Sequence, residues 1–266
     1  MPRFAANLTF LYNEYEFLDR FAAAAKDGFK AVEFLFPYAF NAQDIHQRLT
    51  DNNLQQVLLN APPGDWDGNE RGLACLPGRE QEFQAGFLKA LEYASTLNCS
   101  RIHVMAGLAP AQSNYQKLES TYLNNIAWAA TQAKSAAIDV LIEPINARDI
   151  PHYFLNFQQQ AHDIITHIGA SNIKVQMDLY HCQIMEGDVA SKIRHYLPTG
   201  RVGHFQIAGV PMRHEPDLGE LNYKYLFDVI DDVSKACHWE GWVGCEYRPA
   251  RGNAPQATSD GLAWLG

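Results

Sequence analysis

Short apolar runs alternate with longer segments whose apolar residues recur every three or four positions, and the alternation repeats about eight times over the 266 residues. The runs that read as strands are residues 3–7, 31–34, 55–60, 101–105, 140–143, 173–178, 202–206 and 242–246. Each is brief and ends in a polar residue or a loop. Between them lie stripes of helical period: Phe17, Phe21 and Ala24; Phe83, Phe87, Leu91 and Ala94; Tyr122, Ile126, Ala129 and Ala133; Leu226, Ile230, Val233 and Cys237. Strand, helix and strand in succession require parallel pairing with right-handed crossovers, and eight such units can close without exposed edges. The pattern therefore predicts one α/β domain, a (β/α)8 barrel spanning residues 1–266. A doubly wound open sheet is the rival, but no GxGxxG turn follows the first strand, where dinucleotide-binding sheets carry one.

Two connections break the rhythm. Residues 61–78 (APPGDWDGNERGLACLPG) and 207–221 (IAGVPMRHEPDLGEL) are rich in Gly, Pro and charge and follow predicted strands directly. They fall on the face where barrel enzymes build their sites, which marks them as rims or lids.

Composition narrows the reading. Hydrophobic residues make up 47% and charged residues 19%, enough for a large core and too apolar for disorder. A formal charge of −9 works against gripping nucleic acid or an anionic membrane through phosphates. No stretch approaches the roughly 18 apolar residues of a membrane span, and the start MPRFAANLTF lacks a signal peptide's apolar run, so a cytoplasmic location is expected. The five cysteines, Cys75, Cys99, Cys182, Cys237 and Cys245, lack metal-site or disulfide-framework spacing and are expected to be reduced and mostly buried. Association into a homo-oligomer is left open.

The chemistry lies at the strand ends. Glu143 ends VLIE, Asp178 ends IKVQMD, Gln206 ends VGHFQ and Glu246 ends VGCE, each separated from the next by about one βα unit. Four strands would then each aim one oxygen donor at the same mouth. One such carboxylate alone caps a helix or pairs with a base more often than it binds a metal. Three on neighbouring strands repel one another unless a cation joins them, and an all-oxygen set suits Mg²⁺ or Mn²⁺.

The segments LIEPINARDIPHYFL (141–155), QMDLYHCQIMEGD (176–188), HFQIAGVPMRHEPDLGELNY (204–223) and GWVGCEYRP (241–249) resemble the hydroxypyruvate isomerase family, one of the xylose-isomerase-like barrels. AVEFLFPY (31–38), NAPPGD (60–65), GLACLPGRE (72–80) and HVMAG (103–107) extend the resemblance along nearly the whole chain. It implies an isomerase of hydroxypyruvate or of a four-carbon 2-oxo-tetronate. Glu143 and Glu246 match the two glutamates that bind the metal and face the substrate, and Asp178 and Gln206 match the other two metal positions. Related ketose epimerases usually have His where Gln206 stands, which makes that alternative less close.

An isomerisation of this type needs a base and an acid flanking the substrate, which the resemblance assigns to Glu143 and Glu246. A hydroxy-oxo acid also needs donors for its carboxylate and oxygens. Arg213 and His214 in MRHEP, His181 three residues after Asp178, and His103 at a strand end are the candidates. Each also has a structural role open to it: Arg213 pairing with Glu215 or Asp217, and His181 capping a helix. His46, His162, His167, His195 and His238 sit in predicted helices and are assigned no ligand role. Arg248 and Arg251 either bind an anion or face water. Two other functions fit parts of the pattern. An apurinic-site endonuclease on the same barrel would need more strand-end histidines than Asn60 and Gln206 leave room for, and a noncatalytic sugar-acid binding protein would not need two flanking glutamates.

Overall fold

The computed structural model describes residues 1–110, 112–252 and 256–265. Its strands are β1 (Phe4–Asn7), β2 (Ala31–Phe34), β3 (Gln55–Asn60), β4 (Arg101–His103), β5 (Asp139–Ile142), β6 (Ile173–Asp178), β7 (Val202–Ile207) and β8 (Val243–Cys245), all parallel and paired in sequence order, with β8 returning to β1 to close the ring. The expected (β/α)8 barrel is thus present. The helices are α1 (Arg20–Lys26), α2 (Ala42–Asp51), α3 (Glu80–Thr96), α4 (Tyr115–Lys134), α5 (Gln158–Ile168), α6 (Leu179–Met185), α7 (Val189–Tyr196), α8 (Tyr223–Cys237) and a short α9 (Ala257–Asp260). No described helix is long and apolar enough to cross a membrane.

Helix ends follow the sequence. Asn41, Asn114 and Asn222 each accept a backbone N–H through the side chain at the start of α2, α4 and α8, satisfying donors that the first turn leaves free. Gly169 ends α5 in the left-handed region (φ 72°). The predicted stripes face inward, with Phe83, Phe87 and Ala94 of α3 and Tyr122, Ile126, Ala129 and Ala133 of α4 buried.

Strand limits lie within two residues of the sequence reading, and β7 runs one residue further than expected, to Ile207. β4, β5 and β8 leave the ladder at His103, Ile142 and Cys245, earlier than expected. Glu143 and Glu246 therefore lie just past the last paired residue, where the chain turns into its loop. The expectation of strand-end carboxylates survives, and the shortening frees them from the sheet.

The inside of the barrel is layered and partly polar. At the closed end Arg101 reaches across to donate to the Gly203 carbonyl at 2.9 Å. Above it Glu33, His204, Gln176 and Gln206 form a buried network: His204 Nε2 meets Glu33 Oε2 at 2.6 Å, Gln206 Nε2 donates to Glu33 Oε1 at 2.8 Å, and Gln176 Nε2 donates to Gln206 Oε1 at 2.6 Å. Gly244 makes room for it, because a Cβ there would overlap the Glu33 carboxylate. All five described cysteines are free, and only Cys237 is not fully buried.

Candidate active site

The open end of the barrel holds a cavity of about 660 Å³, lined by Glu143, Glu246, His103, His181 and Arg213 among others. Asp178 and Gln206 are partners in the β6–β7 register and stand at one height, both buried. Donor atoms of Glu143, Asp178 and His181 lie within 4.8 Å of one another. Arg213 draws the fourth position in: its guanidinium pairs with Glu246 Oε2 and stands 3.8 Å from Asp178 Oδ2. Asn7 Nδ2 holds the other Glu246 oxygen at 3.3 Å. Glu143, His181, Arg213 and Glu246 thus line one cavity, while Asp178 and Gln206 are buried and are not among its described lining.

The electrostatics are strained. Burial, reinforced by the charges of Glu246 and Asp178, holds the Glu143 carboxyl well above the usual carboxylate range. Burial pushes Asp178 up to about 6 although Arg213 and the Tyr180 and His181 amides pull it down, and it pushes Glu246 up to about 8 against the same arginine. One guanidinium therefore faces three buried carboxyls. Asp178 shows both fates open to a strand-end acid. Its Oδ1 caps α6 by accepting from Tyr180 N at 2.7 Å, while its Oδ2 has no hydrogen-bond partner.

Burial and the nearby Arg213 hold the His181 pKa well below that of a free imidazole, which favours the neutral ring. Its tautomer follows from its neighbour. Asn146 accepts from Asp149 N through Oδ1 at 2.7 Å, which fixes the amide so that Nδ2 donates to His181 Nδ1 at 2.6 Å. The proton of His181 therefore sits on Nε2, 3.6 Å from Asp178 Oδ2 and 3.9 Å from Glu143 Oε1. That turns the Nε2–H of His181 toward the two carboxyls at the cavity. Burial lowers His103 to about 3, and its Nε2 stands 3.4 Å from Glu143 Oε2.

The remaining candidates divide. Arg213 turns inward, stacked between Phe10 and Tyr180, and does not pair with Glu215 or Asp217. Glu215 instead accepts from the backbone of Ala250 and Arg251, and Arg251 takes Asp217. His214 is absent from the described lining: its Nδ1 meets the Arg248 carbonyl at 2.9 Å, so it ties the loop to the chain after β8. Neighbouring loop residues point to opposite sides, and Arg213 has the inner one. His46, His162, His167 and His195 lie in helices and His238 caps α8, all away from the cavity.

Residues 21–266 match the family model described as the xylose isomerase-like TIM barrel. The chain belongs to that family. It is 57% identical over 265 residues to a 2-oxo-tetronate isomerase of Cupriavidus necator, covering 100% of this chain and 98% of the relative. It is 42% identical to the hydroxypyruvate isomerase of Escherichia coli with the same coverage. The crystal structure of a Brucella melitensis protein described as an AP endonuclease, family 2, superposes with a TM-score of 0.93 at 48% identity, covering 100% of this chain and 98% of that one. Within the xylose isomerase-like barrels the chain thus falls in the hydroxypyruvate isomerase group, which includes 2-oxo-tetronate isomerases, and it is an isomerase.

Several residues that shape the site of this isomerase escaped the sequence reading. Glu33 is a carboxylate inside an otherwise apolar strand, a signal of the same kind as Glu143, but it sits one layer below the mouth. Arg71, Arg148, Asp149 and Tyr180 line the cavity from loops or a helix start, where no periodicity marks them.

Both long loops are rims, pinned in place. In residues 61–78, Gly72 has φ 110°, and a Cβ there would overlap the Met105 carbonyl of the chain after β4. Cys75 N donates to the Ala106 carbonyl at 2.8 Å, and Asn125 Nδ2 holds the Ala74 carbonyl at 2.9 Å. In residues 207–221, Gly209 N donates to the His214 carbonyl and Arg213 N to the Gly209 carbonyl, each at 2.8 Å. Gly72→Ala is expected to cost about 2 kcal/mol or more, from left-handed strain plus backbone overlap, read as a lower denaturant midpoint at unchanged slope. A midpoint equal to wild type would mean that this backbone approach is not rigid.

Proposed function

We propose that this isomerase moves a carbonyl between adjacent carbons of a small hydroxy-oxo acid through an enediolate, assisted by one divalent cation, Mg²⁺ or Mn²⁺. A 2-oxo-tetronate is the favoured substrate, because identity is higher to the 2-oxo-tetronate isomerase than to the hydroxypyruvate isomerase, and hydroxypyruvate is the second choice. The observation that carries the reading is the pair of buried glutamates, Glu143 after β5 and Glu246 after β8, facing one cavity from strands three apart around the ring.

The residues fit the cation. Glu143 Oε1 and Asp178 Oδ2 are buried without hydrogen-bond partners, a costly arrangement that a cation would relieve. Gln206 has its amide oriented by Glu33, whose Oε1 accepts one hydrogen bond from Nε2, which leaves Oε1 of Gln206 with one lone pair beyond the bond from Gln176. Glu143, Asp178, Gln206 and Glu246 are the proposed ligands, all oxygen donors suited to a hard cation. The chemistry such a cation supplies is Lewis-acid stabilisation of negative charge on substrate oxygens, worth several kcal/mol.

The chain's own groups do the proton work. One glutamate takes the proton from the hydroxyl-bearing carbon, and the C–H electron pair becomes the enediolate double bond. The other glutamate returns a proton to the neighbouring carbon while an O–H proton passes between the two oxygens, so atoms balance. A carboxyl raised by burial is a stronger base than a free one and also holds a proton to donate, and positioned acid–base catalysis contributes about 10²- to 10⁴-fold. Neutral His181 donates a hydrogen bond through Nε2–H to an enediolate oxygen, keeping its proton, and neutral His103 is a second hydrogen-bond donor at the same wall. A net charge of −9 works against a phosphate-rich nucleic acid as substrate.

The test is turnover of 2-oxo-tetronates and hydroxypyruvate in deuterium oxide. One deuteron is expected at the carbon that gains hydrogen, and failure of all these acids to react or exchange would overturn the reading.

A further inference from the structure

Four guanidinium groups border the cavity, those of Arg71, Arg148, Arg213 and Arg248, and their commitments differ. Arg213 is engaged by Glu246 and Asp178. Arg148 donates to Tyr180 Oη and the Pro211 carbonyl, both at 2.9 Å, and stands 3.4 Å from Asp149. Arg248 is exposed, with nothing described that fixes its side chain. Of these four, Arg71 alone is held in place by uncharged groups and makes no ion pair among the described residues. Its guanidinium lies over the Trp66 ring at 3.9 Å from the centroid, and Nη1 donates to the carbonyls of Trp66 (2.9 Å) and Glu70 (2.6 Å). The neighbouring Glu70 carboxylate does not neutralise it, being bound to Arg79 and to Asp65 N.

The support is rigid on both sides. Trp66 packs on Phe36 with ring centroids 5.2 Å apart, and the next residue after Arg71 is Gly72, pinned against the chain after β4. A planar cation with its backbone locked, its face covered by indole and its remaining N–H groups unused suits two-point capture of a carboxylate, and it loses little freedom on binding.

We propose that Arg71, seated on Trp66, recognises the carboxylate of the hydroxy-oxo acid and thereby selects acids over neutral sugars of the same length. The proposal rests on the isomerase reading above and deepens it. Arg71 is a recognition residue, since it stands on the rim after β3 and the glutamates carry the proton transfers.

The experiment compares erythronate, a four-carbon hydroxy acid, with erythritol, its uncharged counterpart, as competitive inhibitors of wild type, Arg71→Met and Arg71→Lys. Melting temperature and Mg²⁺ binding serve as checks that the fold and the acidic cluster are intact. Arg71→Met is expected to weaken erythronate about 10- to 100-fold with little change for erythritol, the size of a lost charge-assisted hydrogen-bonded pair. KM for the substrate rises by a similar factor while kcat changes little. Arg71→Lys recovers part of the loss. Equal weakening of both inhibitors, or none, overturns the role of Arg71 while leaving the isomerase reading in place. Wild type that turns over no hydroxy-oxo acid and does not prefer erythronate would instead sink both.

Discussion

Glu143→Gln is expected to lower kcat by about 10³-fold or more while the protein stays folded, and Glu246→Gln to do the same. Both glutamates keep their steric fit as amides but lose the capacity to take or hold a proton at catalytic strength. A 10³-fold loss corresponds to about 4 kcal/mol of transition-state stabilisation, within reach of positioned acid–base catalysis. Stability separates the two variants. Glu143→Gln removes a carboxyl that burial and its acidic neighbours disfavour, so its melting temperature in chelator is expected to hold or to rise, whereas Glu246→Gln gives up the ion pair with Arg213 and is expected to melt somewhat lower while staying folded. The two readouts together separate a catalytic loss from a folding defect. A variant within tenfold of the wild-type rate would remove that residue from the proton transfers.

Stripping divalent cations with a chelator is expected to bring turnover to background, and Mg²⁺ or Mn²⁺ to restore it. A cation at 100 times its dissociation constant stabilises the fold by about 2.7 kcal/mol, which for a chain of this size lifts the melting temperature by about 5–10 °C. Asp178→Asn, which loses a charge beside the unpartnered atoms, is expected to give little of that rise. The stripped protein also carries a pH signature. Burial raises the folded-state pKa of Asp178 to about 6 and of Glu246 to about 8, above their unfolded values. Their contribution to stability is present below the unfolded pKa and is lost as pH rises through the folded ones. Stripped protein should therefore melt lower at pH 8.5 than at pH 6, and the cation should flatten the difference. Full turnover in protein shown by elemental analysis to hold no divalent cation would dismiss the metal.

The barrel was legible because each of its βα units repeats one local pattern, and local patterns depend on residues a few positions apart. Asp178 shows how far that reach extends to the site. Its place at the end of an apolar strand could be seen in IKVQMD, and the conflict among several such acids implied a shared pocket. Arg213 shows the limit. The sequence offers Glu215 and Asp217 as near partners, yet the guanidinium turns to Glu246, 33 positions away, because Glu215 is taken by backbone amides and Asp217 by Arg251. His214, adjacent in sequence, goes to the other side of the same loop. Glu33 was overlooked because its partner His204 lies across the ring, 171 residues on.

Strand and helix periodicity, and oxygen-bearing side chains placed at strand ends, were determined by the linear order of residues, since they express preferences of single residues and near neighbours. Which groups meet was decided only in three dimensions. Closing the ring sets residues from β2, β5, β6, β7 and β8 within a few ångströms of each other, and burial there raises the Glu143, Asp178 and Glu246 carboxyls and fixes the His181 tautomer. Electrostatic energy depends on separation in space and on exclusion of water, and neither is written in the spacing of residues along the chain.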